Sequence, residues 1–359
     1  MTKIDRPGSR FLYSTYLGGS RSDSAGGLAI DSRGQAYVAG GTSSPDFPIL
    51  APYSAVLSGT SDAFITELNA DGSGLVFSTF FGGSGSDGAG DIGRDLFGNI
   101  YIAGSTSSKD MPLRNAFQSE NAGLSDTFVA KFNPTGNTLI YASYLGGSGS
   151  EILPHLAVDS FGSLAVCGAT NSNNFPAVNS VQASYGGGIW DLYVAKISPD
   201  GSRLVYSTYL GASGDDHPDT IYSDLIGNVW VGGSTTSPTF PVLSGYQPTY
   251  GGGPYDAFLS NIQVEPLSVI QTFAQSLNSD DYNQLLQPSA GPFLRRTLDR
   301  VAEYLAEGDV VAASKNLRAL VQRWNGLGRQ GANETPSAEG LKQLKEALRA
   351  ILDEVNALD

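Results

Sequence analysis

Tyr13-Ser-Thr-Tyr-Leu-Gly-Gly19 decides how this chain is read, because the same run comes back three more times. It returns as Phe77-Ser-Thr-Phe-Phe-Gly-Gly83, as Tyr141-Ala-Ser-Tyr-Leu-Gly-Gly147 and as Tyr206-Ser-Thr-Tyr-Leu-Gly-Ala212. The runs start at 13, 77, 141 and 206, so the steps are 64, 64 and 65 residues. Other landmarks keep the same order between them. Asp31-Ser-Arg-Gly34 recurs as Asp95-Leu-Phe-Gly98, Asp159-Ser-Phe-Gly162 and Asp224-Leu-Ile-Gly227. Phe47-Pro48 recurs as Met111-Pro112, Phe175-Pro176 and Phe240-Pro241, and Asp62-Ala-Phe as Asp126-Thr-Phe, Asp191-Leu-Tyr and Asp256-Ala-Phe. A fixed period of this kind marks a repeat architecture.

Each unit reads as four short strands. In the first these are Leu28–Ile30, Ala36–Ala39, Asp62–Leu68 and Leu75–Phe81. The Asp-x-x-Gly and Asp71-Gly72 turns between them are hairpin signals. Four antiparallel strands repeated around an axis make a propeller blade. The period exceeds the usual ~40–50 residues, and the excess lies between the second and third strands. The ends look complementary. Phe11–Gly19 is a fourth strand without its first three, and Asp256–Ile262 is a third strand without a fourth. Pairing the two would remove the open sheet edges. The expectation is therefore an all-β propeller of four blades, each of four antiparallel strands, closed by its two ends over residues 11–263; the alternative is an open array or part of a larger wheel. Residues 1–10 are read as an amino-terminal extension.

The repeated Tyr-Ser-Thr-Tyr-Leu-Gly-Gly-Ser, Asp-Ser-x-Gly, Ala-Gly-x-Thr-Ser-Ser, Phe-Pro and Asp-Ala-Phe elements resemble the SBBP (beta-propeller) repeats of bacterial proteins. The resemblance covers residues 11 to about 262. It implies a propeller in a secreted or cell-surface protein and no defined activity.

The repeats stop after Ile262. Apolar residues then recur at helical spacing: Phe293, Leu294, Leu298, Val301, Ala302 and Leu305, then Leu317, Leu320, Val321 and Trp324, then Leu341, Leu344, Leu348, Ile351 and Leu352. Asp309 after Gly308 is a candidate N-cap, as is Ser337. A shorter helix around Val269–Leu277 leads in. Residues 264–359 are thus expected to form a small antiparallel helical bundle. Leu294–Val355 resembles the FIMAH-type helical domains of some secreted bacterial proteins, which implies an attachment or assembly module that contacts another domain or subunit.

The 359 residues carry 21 Lys and Arg against 35 Asp and Glu, a net charge of −14. Such a surface repels phosphate backbones and argues against nucleic acid as a partner. Cys167 is the single cysteine, so it has no disulfide partner and no cysteine metal cluster within the chain. No run of about 18 apolar residues predicts a membrane span. The start, Met1-Thr-Lys-Ile-Asp-Arg-Pro7, lacks an apolar leader. Either the protein stays inside, or a leader precedes this numbering, as an extracellular or cell-surface place in a bacterium requires.

Chemistry is sought on the face carrying the long loops, where a rigid scaffold usually places binding groups. Asp23, Asp87, Glu151 and Asp216 stand once per blade before the innermost strand, and four such carboxylates around an axis suit calcium. The alternative is that each bonds its own turn. His155 and His217 fall in the fourth-to-first connections, close in sequence to Glu151, Asp215, Asp216 and Asp219, as a transition-metal site or acid–base pair requires. Tyr185-Gly-Gly-Gly-Ile-Trp190 and Tyr250-Gly-Gly-Gly-Pro-Tyr255 set aromatic faces beside glycines, fit for a sugar ring or a partner chain. Arg94, where other blades have Ile30, Val158 and Ser223, is read as balancing Asp91. Asp31 and its repeats read as turn residues, and Asp62 and its repeats as bonding loop amides. No Gly-x-Ser-x-Gly elbow, phosphate loop or His-Glu-x-x-His is present. The sequence thus favours a non-enzymatic binding or scaffold module that offers its long loops to a glycan or protein. The alternative is a hydrolase or lyase using the loops of blades three and four.

Overall fold

The structure, a computed structural model, describes the chain apart from residues 278–281, 283–285, 287–288, 325–335 and 359, together with the side chains of 336–339. It is a propeller-like row of antiparallel sheets carrying helices on one face. Blade one is β3 (Asp23–Ile30), β4 (Ala36–Thr42), β5 (Asp62–Leu68) and β6 (Leu75–Phe81). Blade two is β7 (Asp87–Arg94), β8 (Ile100–Thr106), β9 (Asp126–Phe132) and β10 (Leu139–Leu145). Blade three is β11 (Glu151–Val158), β12 (Leu164–Thr170), β13 (Asp191–Ile197) and β14 (Leu204–Leu210). Blade four has three strands, β15 (Asp216–Ser223), β16 (Val229–Thr235) and β17 (Asp256–Ile262).

The hairpins form where Asp-x-x-Gly predicts them. Asp95 accepts from the backbone N–H of Phe97 and Asn99, and Gly98 sits at φ +85°, a left-handed conformation that a side chain would strain. The innermost strand is longer than Leu28–Ile30, because it begins at the acid, Asp23 in blade one. The blades pack face to face through large side chains. Phe81 of blade one meets Phe132 of blade two edge-on with ring centroids 5.3 Å apart. The Phe-Pro landmark pins the long loop to the third strand: Phe47 lies 4.5 Å from Phe64 and Phe175 4.5 Å from Tyr193, centroid to centroid.

The expected closure by the two ends is not what the structure shows. Phe11–Ser14 forms β2, and it pairs with β1 (Thr2–Ile4), not with β17. The reason lies in residues 1–10, which are more than an extension. Lys3 stands opposite Tyr13 in the register that sets Glu67 opposite Phe77, Lys131 opposite Tyr141 and Lys196 opposite Tyr206. Lys3 Nζ also donates to the Gly34 carbonyl, as Lys196 Nζ does to that of Gly227. The Asp5–Gly8 turn bond repeats those of Asn69–Gly72, Asn133–Gly136 and Ser198–Gly201. Thr2–Ile4 therefore fills the third-strand place beside β2, on the edge that closure needed. The ring stays open at blade four.

The helices are α1 (Pro266–Ser276), α2 (Ala290–Ala306), α3 (Val310–Arg323) and α4 (Pro336–Asn356). Asp309 caps α3 by accepting from Ala312 N–H at 2.9 Å. The expected cap Ser337 is inside α4, and its side chain lies outside the described residues. The helix that the sequence pattern starts at Val310 is expected to run to Leu327, which lies outside the described residues. The tail turns inward onto its own propeller. Phe97, Phe161 and Ile226, each the third residue of an Asp-x-x-Gly turn, share one apolar core with α1 to α4. Phe161 lies 4.8 Å from Phe273 and Phe97 4.8 Å from Tyr282, centroid to centroid. Blade one has Arg33 there, and it pairs with Asp31 in solvent instead. The bundle therefore caps the tight-turn face over blades two to four.

Candidate functional site: the long-loop face

The four acids of the presumed cation ring are spent inside their own blades. Asp87 accepts from Thr106 Oγ1 at 2.5 Å, Ser108 Oγ at 2.8 Å and Gly83 N–H at 2.7 Å. Glu151 accepts from Thr170 at 2.6 Å, Ser172 at 2.7 Å and Gly147 N–H at 3.2 Å. Asp23 and Asp216 repeat the pattern with Thr42, Ser44 and Gly19, and with Thr235, Ser237 and Ala212. Each carboxylate latches the Gly-Gly turn to the end of the second strand. The Thr-x-Ser pairs at 42/44, 106/108, 170/172 and 235/237 are the signal for this latch in the sequence. Among the described residues no three His, Cys, Asp or Glu side chains converge as a metal site. The latch accounts for the hydroxyl and backbone N–H bonds that each of these acids accepts.

A second acid lies beside three of the four latches, those of Asp87, Glu151 and Asp216. A Cβ at Gly146 would fall 2.3 Å from Glu151 Oε2 and 2.5 Å from Asp126 Cγ. Only a glycine passes between two carboxyl groups so close. Gly82 and Gly211 stand likewise between Asp62 and Asp87 and between Asp191 and Asp216. The third-strand acids bond loop amides as expected: Asp62 accepts from Ser58 and Gly59, and Asp126 from Ala122. Burial, with the neighbouring carboxyl adding to it, pushes Glu151 and Asp191 up to about 7. Asp62, Asp126 and Asp216 are raised for the same reason, burial first.

The histidines do not lie in connections. His155 is in β11 opposite Cys167, and His217 is in β15 opposite Ser234, at different levels of their strands. The Arg94 expectation is also corrected. Its guanidinium lies over the Tyr37 ring at 4.1 Å and draws on the Glu67 charge, while Asp91 accepts from Leu156 N–H across the next junction. Blade one has Glu67 where blades two and three have Lys131 and Lys196. Those lysines pair with Asp95 at 3.4 Å and Asp159 at 2.9 Å. Arg94 is thus a charge exchanged with Glu67 across one junction.

The long loops are less free than their length implies. Those of blades one to three run along the outer edge of their own fourth strands, with bridges Leu50 to Ser78, Arg114 to Ala142 and Val178 to Ser207. The extra residues therefore cover strand edges that would otherwise be sticky. What remains exposed is the returning tip. Leu124 and Ile189 occupy one repeat position and are mostly in solvent. Ile189 N–H and Trp190 N–H both reach Asp215 Oδ1, and Tyr185 OH reaches the Gly188 carbonyl, so the tip is held. Tyr185 packs edge-on against Tyr209 at 6.0 Å, and burial pushes its phenol up to about 12. In blade four Tyr250 OH donates to the Gly253 carbonyl at 2.9 Å, and Tyr255 is exposed. On the opposite face, a polar cleft lined by Arg94, Asp159, Tyr222, Asp224 and Gln343 has a volume of about 140 Å³. Small-molecule pockets usually have ~300 Å³ or more.

The SBBP family, described as a beta-propeller repeat, matches residues 12–48 and 76–110. Those two stretches are SBBP repeats, and the match includes none of the helices. The FIMAH-type resemblance of Leu294–Val355 finds no support there. No curated protein matches the chain. Among solved structures the chain is similar to a protein of unknown function from Dyadobacter fermentans DSM 18053, at 12% identity and a TM-score of 0.38, over 64% of this chain and 61% of that one. It is also similar to sucrose-6-phosphate hydrolase from Lactobacillus gasseri, at 8% identity and a TM-score of 0.33, over 67% of this chain and 46% of that one. The chain spans less than two thirds of the length of either protein. No helix among the described residues is long and apolar enough to cross a membrane.

Proposed function

We propose that this chain is a non-catalytic binding or scaffold module of the bacterial cell exterior. It takes a glycan or protein partner on the long-loop face. The observation that carries this reading is the row of loop tips that are held by their backbones while their side chains face solvent: Leu124 N–H donates to the Gly149 carbonyl and Ile189 N–H to Asp215, and Leu124, Ile189 and Tyr255 are exposed. Rigid apolar and aromatic groups lose little conformational freedom on binding, which is what a recognition surface needs. The latch acids serve the scaffold. A glycan array and a panel of extracellular protein ligands, with affinities read by titration calorimetry, test the proposal. Binding weakened at least tenfold by Ile189→Ser with Trp190→Ala supports it. Ligands that bind equally well to that variant, or polysaccharide or ester turnover lost in His155→Ala, would sink it.

A further inference from the structure

We propose that the open edge of blade four is completed by the amino-terminal strand of a second copy of this chain. The chain contains three finished versions of the junction it lacks. In them the fourth strand pairs with the third in one register, with Ser78 opposite Thr66, Ala142 opposite Ala130 and Ser207 opposite Ala195. Among the described residues β17 has no strand on that edge. Ser260 is its counterpart of Thr66, since each faces the matching valine of the second strand, Val231 or Val38. β2 carries the fourth-strand motif, with Ser14 at the place of Ser78. The pairing that completes blade four sets Ser260 against Ser14.

The side chains match as the backbones do. Ile65 is 0% exposed against blade two, whereas Leu259 at the same position is 70% exposed. Ile92 is 5% exposed against blade one, whereas Leu28 at its position is 59% exposed. Trp230, in the place of Tyr37, is likewise left in solvent. One contact between the two ends covers all three. Tyr16 adds a polar half. Tyr144 and Tyr209 accept from the N–H of Met111 and Phe175 and donate to the carbonyls of Ser108 and Ser172. Tyr16 is fully exposed and makes no such bonds. Its counterpart groups are Phe240 N–H and the Ser237 carbonyl, at the open end of blade four.

The partner is a second copy because the chain's own β2 sits at the far end of the row. A Cβ at Gly72 would fall 2.5 Å from the Tyr13 ring, as one at Gly136 would fall 2.3 Å from Phe77 and one at Gly201 2.2 Å from Tyr141. β2 thus stands one blade before blade one. Its partner edge is held by the three residues of β1, which the seven of β17 can displace. Two head-to-tail contacts related by a two-fold axis close into a ring.

The test puts Ser14→Cys and Ser260→Cys in separate chains, both with Cys167→Ala. Thr66 Oγ1 and Ser78 Oγ are 2.8 Å apart at the matching place, a spacing suited to a disulfide. The expected result is a disulfide-linked pair on oxidising the mixture and none from either chain alone. Light scattering should give twice 37.6 kDa for the unmodified chain. Trp230→Asp with Leu259→Asp should return it to 37.6 kDa with an unchanged circular dichroism spectrum. A mass of 37.6 kDa at every concentration up to the solubility limit, with no mixed disulfide, would overturn the proposal. So would a chain carrying both cysteines that links only to itself.

Discussion

Blades two and three differ from blades one and four in their neighbours far more than in their sequence. Val129 and Val194 are fully buried, while Leu259 at the same repeat position lies in solvent. Leu156 is buried, while Leu28 is not. The same motif gives a core residue in one place and a surface residue in another. A blade is therefore half of two interfaces, and its apolar residues are buried by the next blade rather than by its own strands. This agrees with the behaviour of repeat proteins, where neighbouring units supply most of the stability.

The difference can be tested by placing equal changes at equal positions, with the chain dilute enough to be a single copy. Ile65→Ala should cost about 2–5 kcal/mol in chemical denaturation, because it leaves a cavity between blades one and two. Leu259→Ala should cost less than about 0.5 kcal/mol. Comparable losses would show that the end blade is not exposed in solution. Next in size is the latch. Thr170→Val removes a donor from the buried Glu151 carboxylate and should cost about 1–3 kcal/mol, whereas Thr42→Val, beside the more open Asp23, should cost less. Equal costs would break the comparison. Tyr144→Phe loses two buried bonds and should cost about 1 kcal/mol, against no measurable change for Tyr16→Phe.

The acid pairs sharpen the same point through pH. Burial holds Glu151 and Asp191 near 7 in the folded chain, against ordinary values of 4.5 and 3.8. Above those ordinary values the folded chain keeps protons that the unfolded chain has released. Stability should therefore fall as pH rises from about 4.5 to about 7 and level off above that. Glu151→Gln should flatten the fall. A denaturation series in which the unmodified chain gains stability across this window would contradict the assignment.

Much of this fold was legible in the sequence, because a period of 64 or 65 residues repeats every turn, loop and strand in order. The long-loop aromatics and the Asp62 set were also placed correctly on their loops and strand starts. What keeps the ring open was not legible. Thr2-Lys3-Ile4 is too short for an alternation signal, and it is recognised as a third strand only through its register with Tyr13. The acids read as a ring because one-dimensional spacing cannot show which hydroxyls they meet. The histidines read as loop residues because Pro154 and Pro218 stand next to them and argue against a strand there. The docking of the helices had a signal that was visible but unused, since Phe97, Phe161 and Ile226 are apolar where a solvent turn carries Arg33.

The central claim is that the two ends of the row do not meet within one chain. Spin labels at Ser14 and Ser260 of a single chain, diluted in unlabelled protein, measure that separation by pulsed dipolar spectroscopy. A resolved long distance is expected. Strong dipolar broadening, from labels on adjacent strands whose Cα atoms are ~5 Å apart, would contradict it.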